Sequence, residues 1–189
     1  MVRSARRMRG QTFLLCAMIP PGSVEAHVGR VQQTLFSEHG LASSQAVPPL
    51  VPIAFLDPER LPAELLPLLD RSAPSGWRAR LQGTEWVEGH LYARIDSGGA
   101  WSALRQAALA QCGMGTGGLF PVAEGFYLGC ADAPQAVRAG INPSIPPASF
   151  SSASVALIVL RTARGGPDWW SELHWEITEE RPLRGRKER

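Results

Sequence analysis

A chain of 189 residues, 44% hydrophobic and 19% charged, can bury a sizeable core, and it holds no apolar run long enough to span a membrane. Its three cysteines, Cys16, Cys112 and Cys130, are odd in number and far apart, with no C-x-x-C pair, which argues against a disulfide framework and for a reduced, cytoplasmic setting. The net charge of +2 is unevenly spread: residues 1–10 and 181–189 each carry +4, leaving −6 for residues 11–180. The expected organisation is a basic tail over 1–10, a single bilobal domain over 11–180 and a second basic tail over 181–189. Either tail suits an anionic partner such as RNA, although solvated chain ends account for them as simply.

"TFLLCAMI" is a short apolar run closed by Pro20 and Pro21, too brief for the core of a signal peptide and better read as a first strand, with Met8 as a second initiation point. Ser23 is placed to cap a helix carrying Val24, Val28, Val31 and Leu35 at helical spacing and ending near Gly40. "AVPPLVPIAFLDP" then reads as a buried strand with a proline inside it, which a central strand does not tolerate. The segment after it is helical but broken by Pro62 and Pro67.

Residues 78–96 alternate as a hairpin turning near "EGH", with Leu91, Ala93 and Ile95 on one face and Tyr92 and Arg94 on the other. "GAWSALRQAALAQCG" is a helix with a stripe of Trp101, Leu104, Ala108 and Cys112, stopped by Gly113. A glycine-rich loop, "GMGTGGLFPVAE", feeds a strand "GFYLGC"; a helix starting at Asp132 follows, and two long strands joined by "ARGGPD" end the chain. Helices mixed with hairpins give an α+β class, with two similar lobes of mixed or antiparallel sheet.

This order, together with "PPLVPIAFL" and "GFYLG", resembles the 2H phosphoesterase superfamily, which includes the LigT-type RNA cyclic phosphodiesterases labelled 2′-5′ RNA ligases. The resemblance implies a bilobal fold with helices outside and a central cleft, into which each lobe offers a His-x-Thr/Ser motif. One imidazole then acts as general base and the other as general acid on a phosphodiester, while the hydroxyls hold phosphate oxygens. The first motif falls on Leu50 and Pro52 and the second on Gly125 and Tyr127, 75 positions further on. Leucine, proline and glycine side chains move no protons, so the motifs are degenerate and no catalytic residue is assigned. No cofactor or metal is implied, and a monomer is expected.

Other groups compete for a role. His27, His39 and His90 lie on or beside the first helix and the hairpin, whereas His174 alternates with Glu172 and Glu176 on the last strand, as a metal or acid/base cluster or as a charge-paired edge. Glu124, Asp132, Tyr127 and Arg161 lie near the expected cleft. The loop "GMGTGG" has the glycines of an anion nest, without the Lys-Ser/Thr ending of a P-loop. Three readings stay open: a non-catalytic 2H-like protein binding a nucleotide, RNA end or protein; a phosphodiesterase with relocated acid/base groups; and a structural or interaction module.

Overall fold

The computed structural model describes residues 10–131, 140–163 and 168–184. The helix expected from Asp132 falls largely outside these residues, as do the outer parts of both basic tails and most of the loop between the last two strands. The chain opens with β1 (Gln11–Ile19) and α1 (Gly22–His39), then β2 (Val51–Leu56), α2 (Leu65–Ser72), β3 (Ala79–Val87), β4 (His90–Asp96) and α3 (Ala100–Cys112). It continues through β5 (Gly125–Cys130), the two-residue β6 (Ser149–Phe150), β7 (Ser154–Thr162) and β8 (Leu173–Pro182).

Two four-stranded sheets result, ordered β2-β1-β7-β8 and β5-β4-β3-β6, and every strand pair is antiparallel. The α+β class with two lobes is therefore observed. One lobe takes its strands from both ends of the described chain and the other from its middle. Helices cross between them: α1 leaves the first sheet and packs on β5 of the second, whereas α2 and α3 lie against β2, β7 and β8.

Local chemistry explains most elements. The turn Glu88–Gly89 has positive φ at both residues, 49° and 83°, the backbone of the tight turn that joins twisted strands. Gly40, at φ 65°, ends α1 and lets its backbone N–H reach the last carbonyls. Ser23, however, is not the helix cap: α1 starts one residue earlier, and the Pro21 carbonyl accepts from Val24 and Glu25 N–H at 2.9 and 3.0 Å. Pro67 sits in the first turn of α2, where a missing N–H costs nothing.

The apolar run over 149–162 is not one strand. β6 joins β3 in the second sheet, and after Ser151–Ala153 the chain changes lobes to enter the first sheet as β7. "WWSE" is likewise a 3₁₀ turn, Trp169–Glu172, rather than the start of β8.

Pro52 finds its explanation in the sheet order. β2 is an edge strand, and the Pro52 carbonyl accepts from the Trp101 indole N–H at 2.9 Å, so it faces away from β1. In a strand the N and C=O of one residue point to the same side, so the missing N–H falls on the open edge and breaks no ladder bond. A bulge follows, the register passing from Cys16 opposite Ala54 to Ala17 opposite Pro52. The carbonyl of the extra residue, Ile53, is taken by the Arg105 guanidinium at 2.7 Å.

Two cores divide the interior. The larger is helix on sheet and includes Cys16, Met18, Leu35, Leu69, Leu104 and Phe126. The smaller is sheet on sheet, between the lobes, and holds Leu15, Leu50, Phe55, Tyr92, Tyr127 and Trp169 among others. Among the described residues no helix is long and apolar enough to cross a membrane.

Candidate functional site

The inner faces of the two sheets carry the positions singled out by sequence. Leu50 lies just before β2, Pro52 within it, and Gly125 and Tyr127 on β5; all four are buried, Leu50 and Tyr127 with 0% exposure. The fold brings the two strands together directly, since the Tyr127 N–H donates to the Leu50 carbonyl at 3.1 Å. Gln32 of α1 reinforces the junction: its buried amide N–H group donates to the Val47 and Tyr127 carbonyls at 3.3 and 3.1 Å. Ser43 clamps the end of β5, its Oγ donating to the Cys130 carbonyl and accepting from the Cys130 N–H, both at 2.8 Å.

Aromatic rings fill the space in front of these positions. Phe120 stacks on Tyr127 with centroids 4.5 Å apart, Tyr92 meets Tyr127 edge to face at 5.6 Å, and Trp169 lies 5.6 Å from Phe120 and 6.3 Å from Tyr127. Phe55 of β2 closes on Phe120 at 5.3 Å. Such pairs add about 0.5–1.5 kcal/mol each beyond the area they bury. The surface where the resemblance puts a cleft is therefore a packed core at the level of the motif positions. Gly125 is tighter still, because a Cβ there would lie 2.6 Å from the Ala93 carbonyl oxygen and 3.1 Å from its carbon. Any side chain here would force the paired backbone to shift.

Electrostatics follow from the same burial. The Tyr127 and Tyr92 phenols are pushed well above their ordinary range, chiefly by desolvation, with Cys130 adding to both shifts, so they stay protonated. Tyr92 donates its hydroxyl proton to the Pro121 carbonyl. His90, which the sequence associates only with a hairpin, proves to lie beside Tyr127, its Nδ1 3.4 Å from the Tyr127 hydroxyl. Burial lowers its pKa from 6.5 to about 4, leaving it neutral at pH 7. Its nearness to Tyr127 depends on the β4–β5 register, which sets His90 opposite Cys130, and no local pattern reports that pairing.

A pH dependence follows. Unfolded, His90 takes up a proton near pH 6.5; folded, it resists until about pH 4, so the unfolded state binds more protons in that window and stability falls as pH is lowered through it. Urea midpoints measured at pH 7 and pH 4.5 are expected to differ less in His90→Gln than in the parent chain.

Two of the remaining candidates, Glu124 and Arg161, have partners of their own. Glu124 Oε1 accepts from the Ser97 N–H at 3.0 Å and from the Ser97 hydroxyl, holding the turn into α3. Arg161 pairs with Glu176 at 3.5 Å on the exposed sheet. Glu172 belongs to the 3₁₀ turn, so it does not share the strand face of His174 and Glu176. Asp132 lies outside the described residues. Among those residues no group of three or more His, Cys, Asp or Glu side chains is arranged to hold a metal ion.

The glycine-rich loop packs instead of forming a nest. Gly115 donates its N–H to the Phe55 carbonyl at 3.0 Å, and a Cβ at Gly118 would fall 2.4 Å from the Phe55 ring. These glycines let the loop lie against the end of β2.

No protein-family model and no curated protein sequence matches the chain. Solved structures do. TT0787 of Thermus thermophilus is similar with 21% identity and a TM-score of 0.51, over 93% of this chain and 100% of that one. Escherichia coli LigT is similar in its apo form (15% identity, TM-score 0.55, 93% and 98% covered) and in its complex with 3′-AMP (18% identity, TM-score 0.53, 93% and 99% covered). The chain has the LigT-like, 2H-phosphoesterase fold.

Proposed function

We propose that this chain is a LigT-like protein that no longer carries out two-histidine phosphodiester hydrolysis and acts by binding. The observation that carries this reading is the contact between Leu50 and Tyr127, both without solvent exposure and covered by Phe120 and Trp169. Loss of one acid or base from such a mechanism costs about 10²–10⁴-fold in rate. Here both positions hold side chains that transfer no proton at neutral pH, and the second has no room for an imidazole. A nucleotide of the kind E. coli LigT was crystallised with would have to displace two aromatic rings to reach these positions, which favours a protein partner over a nucleotide in the cleft.

The contact between His90 and Tyr127 favours the second reading, a phosphodiesterase with relocated acid/base groups. Its weakness is chemical: a phenol held far above its usual range and an imidazole held near 4 are both mismatched to proton transfer at pH 7. The full chain, incubated with 2′,3′-cyclic AMP and with RNA ending in a 2′,3′-cyclic phosphate, is expected to release no product above the buffer control, and 3′-AMP is expected to leave its melting temperature unchanged. Turnover that disappears in His90→Gln would establish the second reading in place of the first.

A further inference from the structure

β8 is the outer strand of its sheet, and among the described residues nothing pairs with its free edge. It is ten residues long, and nine of them are exposed. Trp175 and Ile177 are 43% and 36% exposed on the face that continues the inter-lobe core, where they stand opposite the buried Leu160 and Ile158 of β7. Soluble proteins protect such edges with bulges, prolines and charges, because a row of free N–H and C=O groups invites another strand. Here the protection lies at one end. The register shift at Thr178, the acidic pair Glu179 and Glu180, and Pro182 all belong to the second half of β8. The first half, Leu173 to Ile177, has a single carboxylate, Glu176, already paired with Arg161.

We propose that this edge docks an extended, basic polypeptide segment of a partner protein, added as a fifth strand, with alternate apolar side chains against Trp175 and Ile177 and an Arg or Lys on the other face reaching Glu179. Charge selects this occupant. Arg181 is engaged by Asp70 at 3.6 Å, so Glu179 and Glu180 have no ion partner among the described residues. A second copy of β8 in antiparallel register would bring its own Glu176, Glu179 and Glu180 to the same edge, and like charges across strands are destabilising. A nucleic acid phosphate would find no Lys or Arg between Leu173 and Glu180. Main-chain bonds then supply affinity, and the alternating pockets and carboxylates supply the preference. The inference rests on the binding reading above, but the hydrolysis assay tests that reading and the following titration tests this one.

The probe is a ten-residue peptide alternating valine with arginine, titrated into the full chain, with a valine–glutamate peptide and a single-stranded oligonucleotide as controls. The expected result is binding at least about tenfold tighter for the arginine peptide, with slowed amide exchange confined to β8, since tenfold corresponds to about 1.4 kcal/mol. Ile177→Lys, an exposed change that leaves the fold intact, should weaken binding about tenfold, and Glu179→Lys with Glu180→Lys should abolish the preference. Equal binding of the two peptides, no binding, protection elsewhere than β8, oligonucleotide binding at β8, or dimerisation of the chain through this edge would each overturn the proposal.

Discussion

Tyr127→Ala is expected to cost about 3–5 kcal/mol of stability, the range for truncating a large buried aromatic whose surroundings collapse only in part. Tyr127 is fully buried, touches Phe120, Tyr92, His90 and Trp169, and sits on the strand whose N–H holds Leu50. Since total stability of a domain is about 5–15 kcal/mol, the loss removes a large fraction of it. Tyr127→Phe keeps the ring and surrenders only the hydroxyl contacts, at about 1 kcal/mol. Thermal and urea unfolding of both variants separates a packing role from a chemical one: a residue retained for catalysis would show the reverse order, little change in stability and a large one in activity.

The second large effect concerns placing a His-x-Thr pattern at the four positions that the resemblance marks. The combined change Leu50→His, Pro52→Thr, Gly125→His and Tyr127→Thr is expected to yield a chain without a cooperative unfolding transition and without cyclic phosphodiesterase activity. Gly125→His places a Cβ 2.6 Å from the Ala93 carbonyl oxygen, and backbone on the paired strand has little freedom to yield. Leu50→His buries a polar ring at a position without solvent exposure, and Tyr127→Thr leaves a cavity where the phenol packed. Gly125→Ala alone isolates the steric part and should destabilise by about 1–3 kcal/mol, the usual cost of overpacking. A folded, active quadruple variant would mean that the inter-lobe face remains a site and that the aromatic cluster yields to a phosphodiester.

Local elements are largely legible in the sequence, because their causes are local. Apolar spacing in α1, alternation of Leu91, Ala93 and Ile95, and the "EGH" turn all report on neighbours a few residues away, and each appears in the structure at the residues the pattern marks. The lobed α+β arrangement follows from the order of these elements. What fails to show is long-range. Nothing in "SFSSASVALIVLRT" says that its first residues pair in one sheet and its last in the other, since both pieces are apolar and extended. Ser23 has good capping chemistry, but Pro21 lies two residues earlier with φ already near the helical value.

The candidate site divides in the same way. Two short strings single out Leu50, Pro52, Gly125 and Tyr127, and the fold brings the two segments side by side. That an aromatic cluster covers them depends on Phe120 in a loop and on Trp169 in a 3₁₀ turn far along the chain from Tyr127, and such convergence has no signature in spacing. The glycines of "GMGTGG" look alike whether they cradle an anion or allow close approach, and only the Phe55 ring beside Gly118 distinguishes the two.

Pro52 has one more effect, at the opposite margin of the same sheet from β8. An edge whose strand lacks an outward N–H in its middle is a poor template for a further strand, whereas the β8 margin is regular and free of proline from Leu173 to Ile177. The sheet thus has a closed side and an open side. Because the β2 margin is closed, the β8 edge of one copy has no β2 edge on another to pair with, and copies of this sheet cannot join head to tail into an open-ended fibre.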